Sequence, residues 1–215
     1  MFAGVTDPVA AGIVPSLARP GANITGVTWG IGGVGFAAKW VQLLREAVPR
    51  LSHVAALTNP RGPLGAQSAR EIQEAARTLN LKVGLLDAGN APNLERALAI
   101  IASSGAQGLV VTGDPFFIAN RGKLVHFATS KRLPAVYFSK LFTDAGGLMA
   151  YSGSLEESYR KAATYVDKIL KGAKPADLPI EQPTRFELII NLIAARELKL
   201  TIPQSLRARA DQVIE

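Results

Sequence analysis

Short apolar runs alternate along this chain with longer stretches whose apolar positions recur every three or four residues. The runs Phe2–Val5, 23–29, His53–Thr58, 82–86, 108–112, 134–138, 148–151 and Phe186–Asn191 predict strands. Helical spacing predicts helices over 7–17, Phe36–Ala47, 64–79, 92–103, 117–131 and 154–171. Asp7-Pro8 would open the first of these and Arg19-Pro20-Gly21 would stop it. Asn90 would cap the helix over 92–103, and Gly172 would end the one over 154–171. Residues 193–215 read as two short helices split by Pro203. Strands alternating with amphipathic helices mean stacked βαβ units and a parallel sheet. Leu109-Val110-Val111 has no polar residue, as expected of a strand buried on both faces. The fold class is therefore α/β, with open parallel sheets flanked by helices.

Three strands end alike. Val5 to Pro8 (VTDP), Leu57 to Pro60 (LTNP) and Thr112 to Pro115 (TGDP) each place Asp or Asn before Pro just after an apolar run. Asp-Pro and Asn-Pro are good turn chemistry in their own right. In an open parallel sheet, however, strand ends of this kind line the carboxyl edge, where ligands bind. Aromatic residues gather there too: Phe116 and Phe117 after Asp114, Tyr137 and Phe138 after Pro134, and Tyr151 after Met149. Rings beside a few polar anchors suit a small-molecule site.

Composition narrows the chemistry. The 215 residues are 48% hydrophobic and 19% charged, as in folded chains rather than disordered ones. There is no cysteine, so disulfides, thiolate metal sites and cysteine nucleophiles are excluded. Two histidines, His53 and His126, stand without a neighbour at metal-ligand spacing, and no metal or cofactor is expected. The net charge of +7 is scattered, with no run of five basic residues, so a mildly basic surface is expected and no nucleic-acid partner. No stretch reaches the roughly 18 apolar residues of a membrane span. MFAGVTDPVAAG has no basic start and carries Asp7 early, so it is no secretory signal as it stands. That implies a cytosolic chain, or one whose natural beginning lies upstream.

Residues 30–35 (GIGGVG) fit G-x-G-x-x-G between a strand and a helix. A dinucleotide fingerprint also needs an acid ending the next strand, and that strand ends in Asn59. A glycine-rich joint between lobes is the better expectation. There is no G-x-S-x-G, and Asp87, Asp114 and Asp144 have no evident partner base. The pattern points to a binder rather than an enzyme.

Longer stretches carry a family resemblance. DPVAAGIVPSLARPGANITGVT (7–28), AGGLMAYS (145–152), residues 162–206 and the closing ARADQVIE resemble the solute-binding proteins of ABC importers in the tryptophan/tyrosine-type class. The resemblance covers essentially the whole chain. It departs from the family at Ser152, where glycine is common, and at Ser139-Lys140-Leu141-Phe142, which is usually more charged. The resemblance implies a type I periplasmic-binding-protein-like fold, with two α/β lobes and a ligand cleft between them. It implies delivery of an amino-acid-like ligand, possibly aromatic, to an ABC permease, and a periplasmic location. Residues 1–28 and 150–176 would be the remnant of a first lobe lacking its N-terminal part. Residues 29–149 and 177–215 would form a complete second lobe. An incomplete lobe exposes apolar faces, so a homodimer or larger assembly is expected.

A zwitterionic ligand sets the expected roles. Its carboxylate would meet helix N-termini after Asp7-Pro8 and Asn59. Its ammonium would meet Asp114 first and Asp7 second. Its side chain would lie against Phe116, Phe117 and Tyr137, with Tyr151 nearby. Two other functions share such a fold: the ligand-sensing domain of a regulator, and a small α/β transferase.

Overall fold

A computed structural model describes the chain except Thr6, Ala10, residues 29–35 and Pro63. The GIGGVG segment thus lies outside the described residues. In chain order the strands are β1 (Phe2–Val5), β2 (Gly26–Thr28), β3 (His53–Thr58), β4 (Lys82–Asp87), β5 (Gly108–Val111), β6 (Ala135–Tyr137), β7 (Met149–Gly153), β8 (Phe186–Asn191) and β9 (Gln212–Ile214). The helices are α1 (Phe36–Ala47), α2 (Gly65–Thr78), α3 (Ala91–Ser103), α4 (Pro115–Ala119), α5 (Arg121–Ser130), α6 (Lys140–Asp144), α7 (Leu155–Leu170), α8 (Leu192–Glu197) and α9 (Gln204–Arg207). The chain divides into two compact units, residues 1–33 with 152–186 and residues 34–151 with 187–215.

The second unit is built on a seven-stranded sheet in the order β4-β3-β5-β6-β7-β8-β9. Pairing is parallel from β4 through β7 and again between β8 and β9. The apolar runs resolve into two faces with period two. Val54, Ala56, Val110, Val136 and Ile190 join Trp40, Leu44, Ile72 and Leu206 in one core. Ala55, Leu57, Leu109, Val111 and Tyr137 join Leu94, Leu98, Phe117, Leu124 and Phe142 in the other. Helices therefore cover both faces, and the central strands β3 and β5 carry only apolar side chains between their ends.

Two carboxylates, Glu71 and Asp114, are buried among the described residues of this unit. Glu71 on α2 is 7% exposed. Its Oε2 accepts from the backbone N–H of Ala37 at 3.0 Å, and its Oε1 accepts from Gln67 Nε2 at 3.0 Å. Ala37 is the second residue of α1, so a carboxylate from a neighbouring helix satisfies a free donor of the first turn and complements the helix dipole.

The first unit holds the parallel pair β1–β2 with α7 packed against both strands. Ser154 caps α7, and Gly172, at φ +97°, ends it in the left-handed conformation only glycine takes freely. Residues 178–181 lie along β2: Thr28 donates from its N–H to Glu181 O at 2.9 Å, Glu181 donates to Gly26 O at 3.1 Å, and Thr25 Oγ1 donates to Leu178 O at 2.7 Å. These bonds tie 178–181 to β2 within the first unit. Glu157 ties the start of α7 to the same segment. It accepts from Lys161 Nζ at 2.8 Å, Thr184 Oγ1 at 2.6 Å and the Arg185 N–H at 3.2 Å.

The local structure departs from the sequence expectation at several places. No helix forms over the described part of 7–17. Asp7 Oδ1 accepts from the N–H of Val9, Gly12 takes φ +69°, and Pro15 has no N–H to donate, so the segment is a series of turns. The strand expected over 23–29 is described only at Gly26–Thr28. The helix expected over 117–131 is broken at Asn120 into α4 and α5. Helix α6 follows Ser139, whose hydroxyl accepts from Leu141 N–H, and was not expected. The chain closes with β9 instead of ending in a helix.

Two tests follow from these buried and bridged carboxylates. Glu71→Ala should cost about 1–2 kcal/mol in urea unfolding, the usual loss for a helix cap with its buried donor orphaned. Glu71→Gln, which keeps a carbonyl acceptor, should lose less. In the first unit the hydrogen bond from Lys161, then that from Thr184, draws the Glu157 carboxyl down to about 2 from its ordinary 4.5. A depressed folded-state pKa stabilises fully above 4.5 and loses its effect as pH falls toward 2. Glu157→Gln should be less stable than wild type at neutral pH. That gap should close as pH falls through this window, as read from circular-dichroism unfolding midpoints.

Candidate functional site

The site begins with strand order. Because β3 and β5 pair in parallel, with Leu57 opposite Val111, the segments that follow them emerge side by side. Thr112 holds them together, donating to Leu57 O from Oγ1 at 2.9 Å. Two residues further on, Asn59 Nδ2 donates to Asp114 Oδ2 at 2.8 Å. The other oxygen of Asp114 accepts from the Phe116 N–H at 2.8 Å and so caps α4. Asn59 Oδ1 accepts from the Arg61 N–H at 3.1 Å.

Asp114 is 7% exposed, and its donors Asn59 Nδ2 and Phe116 N–H are neutral, with no Lys or Arg paired to it among the described residues. A carboxylate in that state is desolvated without charge compensation. Backbone presses closely around the pair. A Cβ on Gly62 would lie 2.9 Å from Asp114 Oδ2, one on Gly89 would lie 2.2 Å from Asn59 Oδ1, and one on Gly65 would lie 1.8 Å from Asn59 O. These three glycines escaped the sequence analysis. Their signal was a cluster of glycines soon after the ends of β3 and β4.

The rings behave differently from one another. Phe117 and Tyr137 have no exposed surface. They belong to the core, whereas Phe116 keeps part of its ring exposed. Tyr137 shares the inward face of its strand with Ala135 and stacks on Phe142 at 4.6 Å between centroids. Burial raises its hydroxyl pKa, and that hydroxyl has no partner among the described residues. Half-buried Phe116 follows Asp114, and half-buried Phe138 lies against Gly113, with 3.4 Å from a Cβ placed there to the ring. Phe138 follows the end of β6 and also meets Phe142, at 5.5 Å between centroids, but keeps part of its ring exposed. Tyr151, also half-buried, stacks on Phe36 at 5.4 Å, and its carbonyl accepts from Trp40 Nε1 at 2.8 Å. Burial, then the charge of Asp211, raises the Tyr151 phenol pKa.

Asp7 and Pro8 belong to the first unit, where Asp7 closes the turn with Val9 and buried Pro8 accepts from Ile13 N–H at 2.9 Å. The helix N-terminus expected after Asp7 is not formed there. Of the three strand-end signatures, the second unit brings two into direct contact. No group of three metal-binding side chains occurs among the described residues. No helix among them is long and apolar enough to cross a membrane.

Comparison with known proteins places this geometry. The chain is 21% identical over 191 residues to the tyrosine-binding protein of Clostridioides difficile (strain R20291), covering 89% of this chain and 54% of that protein. It thus spans about half the length of that relative. An ABC domain from Streptococcus pneumonia, solved in complex with L-Trp, matches 99% of this chain and 70% of its own, with TM-score 0.85 and 25% identity. A conserved domain protein from Vibrio cholerae matches 99% of this chain and 70% of its own, with TM-score 0.83 and 23% identity, which speaks for the fold alone. The fold is type I periplasmic-binding-protein-like. A model of ABC transporter substrate binding proteins matches residues 1–214, and the chain belongs to that family.

Proposed function

We propose that this chain binds an aromatic amino acid at the carboxyl edge of the second unit's sheet and passes it to an ABC permease outside the cytoplasm, without chemical change. The observation that carries the reading is Asp114, a buried carboxylate held by neutral donors and lacking a cation among the described residues. A ligand ammonium supplies the missing charge. Phe116 and Phe138 supply apolar surface beside it for a ring. Binding partners of two relatives, tyrosine and L-Trp, have this combination of ammonium and ring.

Self-association is part of the proposal. On α7, Tyr159, Val166 and Leu170 fall on one helical face and are all exposed, Leu170 by 82%. Burying such a stripe between two copies removes apolar area from water.

Calorimetric titration with L-tyrosine and L-tryptophan should show one site per chain. Asp114→Asn, which keeps the shape and one acceptor, should weaken binding by about 30-fold or more, the effect of losing one partner of a desolvated ion pair. Equal affinity in both proteins would remove Asp114 from the role. Light scattering should report a dimer or larger species that Leu170→Glu shifts toward monomer. A monomeric wild type would reject the association.

A further inference from the structure

We infer that Asn59 is a positioning residue that makes this site select for a primary ammonium, acting through Asp114 rather than by touching the ligand. The inference rests on the reading of Asp114 as the ammonium partner. Both ends of the Asn59 amide are committed. Its Nδ2 donates to Asp114 Oδ2 and its Oδ1 accepts from Arg61 N–H. Flipping the amide would set N–H against N–H at Arg61 and oxygen against the carboxylate at Asp114, so the orientation follows from the two partners. With Phe116 N–H on the other oxygen, each Asp114 oxygen has one donor among the described residues, and the plane of the carboxylate is held at both ends.

The donors are neutral by design of the local sequence. A lysine or arginine at position 59 would supply the charge itself and leave the ligand nothing to add. An aspartate there would repel Asp114. An amide orients the carboxylate and leaves its charge uncompensated. Surrounding backbone keeps the pair in place: Gly89 and Gly62 approach so closely that neither tolerates a side chain without displacing Asn59 or Asp114. This is the arrangement expected of a supporting shell whose task is geometry.

The test compares L-tyrosine with its des-amino analogue 3-(4-hydroxyphenyl)propionate by calorimetry, because a structural defect would weaken both alike. Wild type should prefer tyrosine. Asn59→Ala should lose at least 10-fold in tyrosine affinity and less than 2-fold in analogue affinity. Gly89→Ala keeps Asn59 but pushes its Oδ1 aside, and should shrink the preference in the same sense. Asn59→Ser, which retains a shorter donor, gives the reading if the alanine variant does not fold. Tyrosine binding by wild type with an unchanged preference in these variants overturns the role of Asn59 and leaves the proposed function standing. A wild type that binds neither L-tyrosine nor L-tryptophan overturns the function, and this inference with it.

Discussion

Parallel pairing of β3 with β5 is the constraint on which the candidate site depends. Parallel neighbours run the same way, and with Leu57 opposite Val111 the segments that follow β3 and β5 leave the same edge of the sheet side by side. In this chain those segments are LTNP and TGDP, and the pairing turns two separate turn motifs into an amide–carboxylate contact of 2.8 Å. Between their ends β3 and β5 contribute nothing polar, because both faces are core. Chemistry is therefore confined to the positions where the apolar runs stop, the general location of ligand sites in open α/β sheets.

Much of this was legible before any coordinates. Continuous apolar runs identify strands buried on both faces, and Asn90 and Gly172 mark helix boundaries by chemistry that does not need tertiary context. Over 7–17 local breakers override the helical spacing: the Asp7 side chain bonds the nearby Val9 N–H, Gly12 takes a left-handed conformation, and Pro15 has no N–H for a helical ladder. The full burial of Tyr137 is not legible in the sequence for another reason. Knowing that a strand ends near a site does not say which face each residue takes, and only the full burial of Tyr137 against Phe142 shows that its ring points inward while Phe138 stays half-buried. Glu71 was invisible for a third reason, since its partner at Ala37 is 34 residues away and on another helix.

The two units handle charge in contrasting ways. In the first, Glu157 is matched by Lys161, a hydroxyl and a backbone N–H, and Lys161 reaches Glu181 as well, at 3.5 Å. Charge there balances charge, and the group titrates as an ion-paired structural carboxylate. In the second unit, Glu71 and Asp114 are both 7% exposed and both hydrogen-bonded by neutral donors. Glu71 nevertheless meets the positive end of a twelve-residue helix, which offsets part of its desolvation. Asp114 caps only the five residues of α4, a much shorter dipole.

That difference separates a structural carboxylate from one suited to binding. A buried anion costs free energy unless something positive approaches it, and hydrogen bonds from amides recover only part of the lost hydration. If the compensating charge belonged to the protein, folding would consume the attraction and none would remain for a ligand. With neutral donors, folding bears the desolvation in advance and the attraction is released only when a cation arrives. Glycines at 62 and 89 complete the logic, because backbone can close on the pair without adding a side chain that would fill the space or supply the charge.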